Sequence, residues 1–283
     1  VHGPEILTRY LSAMGPADKN GVRWQYHSRS DRHSKVGCWG VAFDLLRTSS
    51  LMQSHAASGK VILGVNHEMR DYGTGRKKDL DLVIARPNGD VPAKGPTFKS
   101  LVEQYQIVLT AEEQSMLDGL PDMPVAPVGA VLVALEAKAC MTAHVKSLPR
   151  LYDELNSSHL CVHGASVQAL AIAYVQVNHA ETFISPIINS KDIARGLDPE
   201  ISVHKQPADT QRVLNKVAEI PRRSNNKGTG FDAIGVTVLD LVNDGSPVTL
   251  FEAPPAPQRG DHFHYGSMIV RMANEYDATF AHI

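Results

Sequence analysis

Cysteine is scarce in this chain of 283 residues: Cys38, Cys140 and Cys161 make an odd, widely spaced set of three. Such a set excludes a disulfide framework and a four-cysteine zinc site, and leaves buried free thiols as the plain reading. Neither sign of charge prevails, with 28 Lys and Arg against 30 Asp and Glu and a net charge of -2. This balance offers no overall basic field for nucleic acid, although a phosphate backbone responds to local positive patches as well. No uninterrupted apolar run reaches the length of a membrane span and no secretory leader is evident, so cytoplasmic residence is the expectation. Fixed-period repeats and long low-complexity stretches are missing too, and the Pro-rich segment 253–257 reads as a rigid connection. What is present is apolar material: 43% of the residues are hydrophobic, enough for a substantial core in one large domain or two modest ones.

The patterning favours a single α/β domain. A short helix is expected over 6–14 and a second over 41–52, where Val41, Leu45, Leu46 and Met52 form an apolar side. Strands are expected over 61–65, 81–85, 130–138, 169–177 and 234–241, because these runs are short, rich in Val, Ile and Leu, and punctuated by Gly or Pro. Between the second and third strands, 97–120 predicts an inserted helical segment with Leu101, Tyr105, Val108 and Leu109 on one side. Met141, Val145, Leu148, Leu151 or Tyr152, and Leu155 predict a helix after the third strand. Pro149 is expected to kink or divide it, since it lacks an amide donor. A further helix is expected over 209–217, and the tail extends the same fold.

Two of these strands carry the chemistry. Asp81 opens the run Asp81-Leu-Val-Ile-Ala85, and Ala130-Val-Leu-Val-Ala-Leu-Glu-Ala-Lys138 ends in Glu-x-Lys. Side chains two apart share a strand face, so Glu136 and Lys138 project together while Leu135 and Ala137 point into packing. If the strands are neighbours, Asp79 or Asp81 brings a carboxylate to Glu136. Paired carboxylates repel unless a cation neutralises them, and an oxygen-rich site without cysteine suits magnesium. The Lys138 ammonium would orient water, ease its deprotonation, or stabilise charge on a transferring phosphorus.

This arrangement resembles the PD-(D/E)xK nuclease superfamily. Asp81 matches the acid that begins the second core strand, and Glu136 and Lys138 match the acid and lysine of the third. The segment beginning Glu136-Ala-Lys-Ala-Cys-Met-Thr-Ala-His, with its following helix, looks particularly like a type II restriction endonuclease. The resemblance spans about residues 38–180, lacks a proline before Asp81, and needs the 97–120 insertion to account for the long separation. It implies a restriction-endonuclease-like core with a central mixed β-sheet flanked by helices, within one nuclease domain over 1–283 that has a C-terminal extension. It also implies Mg2+-dependent cleavage of double-stranded DNA by a prokaryotic cytoplasmic enzyme. A homodimer would suit a two-fold DNA site, with no membrane and no obligatory protein partner.

Other polar residues supply candidates of less specific kind. Glu68 is an additional acid for the metal site, and Asp44 a weaker one. Arg76, Lys77 and Lys78, beside the acidic strand, are candidate DNA contacts, as are His144, Lys146 and Arg150 on the following helix. So is the polar segment Arg222, Arg223, Asn225, Asn226 and Lys227, which together with 97–120 is expected to lie outside the catalytic core and help choose the DNA site. The alternative is a non-catalytic DNA-binding protein with a degenerate nuclease core. His262 and His264 with Asp261 raise a zinc reading without a matched third histidine, and an RNA substrate stays open.

Overall fold

The computed structural model describes residues 1–224 and 228–283. Asn225, Asn226 and Lys227, three of the candidate DNA contacts, lie outside the described residues. In chain order the elements are α1 (Gly3–Ser12), α2 (Arg32–Thr48), α3 (Ser50–Ala57), β1 (Ile62–Arg70), β2 (Lys77–Pro87), α4 (Leu101–Gln104), α5 (Ala111–Gly119), β3 (Val128–Cys140) and α6 (His144–Ala165). There follow β4 (Leu170–Asn178), β5 (Thr182–Ile184), α7 (Pro186–Ala194), β6 (Ile201–Val203), α8 (Ala208–Ala218), β7 (Ala233–Asp240), β8 (Thr249–Leu250) and α9 (Tyr265–Thr279).

The main sheet runs β1-β2-β3-β4-β7-β8. Its centre is parallel, β3 with β4 and β4 with β7, and its flanks are antiparallel. This is a mixed sheet with helices on both faces. On one face Leu82, Ile84, Leu135, Ala137, Ile172 and Tyr174 pack with α1, α2 and α9. On the other, Val83, Ala134, Ala173 and Val175 pack with Leu151, Leu155 and Val162 of α6 and Val213 and Val217 of α8. The central strands are largely apolar because both faces are covered, and β4 is buried at every position, Gln176 and Asn178 included.

Several expectations are corrected by packing. The second helix begins at Arg32 rather than 41 and is split from α3 at Ser49, whose hydroxyl accepts the Met52 N–H at 2.9 Å. Gly37 and Gly40 weaken the helical signal there, but a Cβ on Gly37 would meet Gln176 Nε2 at 2.7 Å and one on Gly40 would meet Gly3 Cα at 2.9 Å. Glycine thus lets α2 lie close to β4 and α1. The 97–120 insertion forms two pieces, α4 and α5, separated at Gln106 with φ 57°, and a Thr110/Glu113 capping box opens α5. Leu101, Ile107 and Leu117 bury that insertion against the core under α2. Pro149 does not divide α6, which runs from His144 to Ala165. The proline falls early in the helix, and the packing of Leu151, Leu155 and Val162 on the sheet carries the helix past it.

Candidate active site

The candidate site arises where two strands part. β2 and β3 pair as far as Leu82 opposite Leu135. Beyond that point β2 continues with β1, from Leu80 opposite His67 to Lys77 opposite Arg70, and β3 continues with β4, from Glu136 opposite Ala173 to Cys140 opposite Val177. Asn66, at φ 49°, interrupts the β1–β2 ladder between the pairs Val65–Leu82 and His67–Leu80, level with Asp81. A local kink in this hairpin is what an irregular residue in an antiparallel ladder produces. Asp81 stands in the crotch, where its Oδ2 accepts the Ala137 N–H at 2.9 Å. The carboxylate thereby satisfies an amide that the departing strand no longer serves.

Glu136 and Lys138 lie on the α6 side of β3, as their two-residue spacing predicts. Glu136 is 2% exposed, with Oε1 2.7 Å from Lys138 Nζ and 3.4 Å from Lys78 Nζ. Its Oε2 is buried and lacks a hydrogen-bond partner among the described residues. Lys138 also reaches Glu154 Oε2 of α6 at 3.4 Å, and Arg150 Nε holds Glu154 Oε1 at 2.6 Å.

The electrostatics divide the roles. Burial, then the neighbouring Glu136 carboxylate, push the Asp81 carboxyl up to about 6, against the opposing pull of the Ala137 amide, Lys138 and Ser34. Burial works against the Lys138 ammonium, but Glu136, Asp81 and Glu154 outweigh it and raise its pKa. Lys138 is therefore a permanent cation at neutral pH and is poorly suited to act as a base. Cys38 Sγ is 3.9 Å from Asp81 Oδ2, and burial followed by the Asp81 and Glu136 charges pushes this thiol well up, leaving it neutral and unreactive.

The fork opens into a cleft of about 500 Å³ lined by Asp81, Lys138, Arg150 and Glu154 on the strand and α6 side and by Tyr26, Arg29 and His33 on the other. Among the described residues no group of three or more His, Cys, Asp or Glu side chains forms a metal cluster. The donors present are instead two carboxylates, one with an orphaned oxygen. That set fits a hard divalent ion which completes its shell with water or phosphate oxygens, and magnesium commonly binds in this way.

The remaining sequence candidates are dispersed. Glu68 is half exposed and pairs with Lys77 at 2.8 Å on the outer hairpin. Asp44 is buried at the start of α1, accepting from the His2 and Gly3 amides and the Tyr265 hydroxyl, and so is not a site acid. Lys78 turns inward to Glu136. Arg76 and Lys146 are exposed, and Arg150, also exposed, lines the cleft. His144 is buried with Nε2 2.8 Å from the Asn178 carbonyl, which removes it from any DNA-facing surface. Arg223 is likewise buried: its guanidinium donates to both Asp232 oxygens at 2.9 and 3.2 Å and to the Val167 and Ala169 carbonyls, a structural role in place of the expected DNA contact. Arg222 is exposed and lies over the Phe263 ring at 4.8 Å. His264 caps α9 by accepting the Ser267 N–H at 3.2 Å, while His262 is exposed, so the pair does not assemble a zinc site among the described residues.

Sequence reasoning missed the cleft's other wall. Tyr26, Ser28 and Arg29 of the segment Arg23-Trp24-Gln25-Tyr26-His27-Ser28-Arg29 form it, while Trp24 is buried and Arg23 donates to the Met14 and Gly15 carbonyls. Comparison of the chain with protein-family models, with curated proteins and with solved structures finds no match.

Proposed function

We propose that the fork between β2 and β3 is the active centre of a magnesium-dependent endonuclease that hydrolyses DNA phosphodiesters, in keeping with the resemblance of Asp81, Glu136 and Lys138 to the PD-(D/E)xK nucleases. The observation that carries this reading is the meeting of the three residues at the parting strands, with Glu136 Oε2 buried and unpartnered and Lys138 2.7 Å from Oε1. Asp81 and Glu136 would hold the ion, and Asp81 would be ready to do so above about pH 6, where it is ionised. A bound magnesium would supply Lewis-acid charge to offset the negative charge that builds on the phosphoryl oxygens during attack. Hydrolysis forms a bond between a water oxygen and phosphorus and breaks the bond to a sugar oxygen, which leaves with a proton. Lys138 stabilises the developing phosphoryl charge, and Glu154 positions it from α6.

Incubation of the protein with varied duplex DNA and magnesium tests the assignment. Discrete products are expected from the wild type and none from E136A or K138A, whereas equal cleavage by the variants overturns it. One observation favours a second reading, a non-catalytic DNA-binding module: Lys78 and Lys138 already neutralise Glu136. Binding without cleavage across a broad DNA library would select that reading. If the enzyme cuts both strands of a two-fold site, a homodimer places one fork at each strand. Sedimentation with cognate DNA would then give two chains per duplex.

A further inference from the structure

Beside the fork lies a larger concavity, of about 580 Å³, that the proposed metal chemistry does not use. Its rim carries Lys19, Arg29, Arg32 and Lys191, and the one carboxylate in its lining is Asp18. That carboxylate is already engaged. Its Oδ2 accepts from Trp24 Nε1 at 3.0 Å and from the Ser190 hydroxyl, and its Oδ1 accepts the Asn20 and Val22 amides at 2.8 and 3.1 Å. Desolvation opposes the charge, but these donors outweigh it and hold the carboxyl down to about 2. Asp18 therefore fastens the loop instead of facing the cations. Asn20 Nδ2 donates to Ser190 Oγ at 2.6 Å, so the loop is tied to α7 and the basin is formed before any ligand arrives. Lys19, Arg29 and Lys191 are exposed and, among the described residues, their side chains have no hydrogen-bond or ion-pair partner.

The lining between these cations is mixed, with Asn20, Gln25, Ser30 and Ser190 set among apolar side chains. Tyr10, Trp24 and Tyr26 present what remains exposed of their largely buried rings, and Ile187 and Ile188, 51% and 48% exposed, stand on α7. A concavity with exposed isoleucines on one side and the uncommitted cations Lys19, Arg29 and Lys191 in its lining fits a ligand with an apolar body and an attached phosphate, while Arg32 is held by Gln106 Oε1 at 3.1 Å. Tyr26, Arg29, Ser30 and His33 line both this basin and the cleft at the fork, so the segment carrying Arg29 is the divide between them. A strand whose phosphate sits at the fork would reach the basin by crossing this shared wall. A base inside a duplex has both faces covered by stacked neighbours and cannot meet these walls, whereas an unpaired base can.

We infer that the basin binds an unpaired nucleotide of the DNA strand whose adjoining phosphate lies at the fork. The location relative to the scissile bond rests on the proposed function, but the nucleotide site itself is tested without cleavage. Trp24 lines the basin, while the other tryptophan, Trp39, is buried between the Phe43 and Phe98 rings, so ligand-dependent fluorescence reports on Trp24. The full chain, kept metal-free with chelator, is titrated with a single-stranded oligonucleotide, a blunt duplex of the same sequence, that duplex with one unpaired nucleotide, and a deoxynucleoside monophosphate. The single strand and the interrupted duplex are expected to change the fluorescence and to bind at least about tenfold more tightly than the blunt duplex, consistent with the usual worth of base stacking on a protein surface. R29A, K191A and I188D, all at exposed positions, should each weaken that binding severalfold with unchanged unfolding curves. Equal affinity for blunt duplex, or unchanged binding by all three variants, overturns the inference. A free monophosphate that binds as tightly as the strand overturns the assignment to DNA. Tight single-strand binding with no magnesium-dependent cleavage refutes the fork as a nuclease centre and keeps the basin, while cleavage without this preference refutes the basin alone.

Discussion

Asp81 Oδ2 and the Ala137 amide nitrogen are 2.9 Å apart across the point where β2 leaves β3. This bond makes one carboxylate serve two needs: it closes the backbone of the fork, and it places a charge beside Glu136 in surroundings that disfavour charge. An asparagine would keep the first service through its side-chain carbonyl and lose the second. Structure and chemistry at the fork are thus separable by a single substitution.

Asp81→Asn should stabilise the metal-free protein at neutral pH. The folded-state pKa of Asp81 is raised from 3.8 to about 6, so its favourable contribution is complete below about pH 4 and is lost as pH rises through about 6. The rise from 3.8 to about 6 corresponds to roughly 3 kcal/mol as an upper figure, and a gain of about 1–3 kcal/mol for D81N at pH 7.5 is expected. The two proteins should converge near pH 4. Urea unfolding at both pH values checks this, and a wild type that gains stability over D81N between pH 4 and pH 7.5 would contradict it.

Magnesium should reverse that penalty. If Asp81 holds the ion as proposed, binding below about pH 6 would displace a proton, and the stabilising effect should grow from pH 5.5 to pH 8. Thermal unfolding with and without magnesium should show a larger shift at pH 8 in the wild type and little or none in D81N or E136Q. Calorimetry in two buffers of different ionisation enthalpy should register proton release at pH 5.5. A magnesium effect that is independent of pH and survives D81N would place the ion elsewhere.

Much of this fold was legible in the chain, and the reasons for what was not are local. The central strands announce themselves because burial on both faces makes them continuous Val, Ile, Leu and Ala runs, and the Glu136/Lys138 spacing correctly gave their shared face. The fork itself was not legible, because it depends on the kink at Asn66 and on β3 changing partners from β2 to β4, which are relations between distant segments. The start of α2 was masked by Gly37 and Gly40, whose presence answers to neighbouring backbones and side chains rather than to helix propensity. The helix α9 was readable but overlooked: Met268, Ile269, Met272 and Tyr276 recur at helical spacing and are buried. His144 and Arg223 show the limit of composition, since a polar side chain in a plausible place is as easily spent on a buried carbonyl or carboxylate.

Lys138 and Glu154 should separate in their kinetic signatures. Removing the ammonium in Lys138→Met is expected to reduce cleavage by about 10²–10³-fold, the usual loss when one group stabilising transition-state charge is deleted. Glu154→Gln leaves the ammonium beside Glu136 but removes a carboxylate that raises its pKa. A smaller loss, about three- to tenfold, is expected, with the alkaline limb of the pH–rate profile moved to lower pH. An unmoved profile in E154Q would leave Glu154 with a packing role only.

Arg223 plays a structural part where the sequence suggested a DNA contact. Its guanidinium is paired with Asp232 and hydrogen-bonded to the Val167 and Ala169 carbonyls, and Asp232 Oδ2 also accepts the Ala171 amide at 2.7 Å. Arg223→Ala strands a buried carboxylate and two carbonyls, and a loss of about 3–5 kcal/mol is expected because only the Ala171 amide and the nearby His163 ring are left to offset the charge. The double variant R223M/D232N removes both charges and should recover part of that loss. DNA affinity, measured for the folded protein at low temperature, should be unchanged in R223A, and the salt dependence of binding should keep its slope, since no phosphate contact has been removed. A variant that folds normally but loses one counterion from that slope would return Arg223 to the DNA-binding surface.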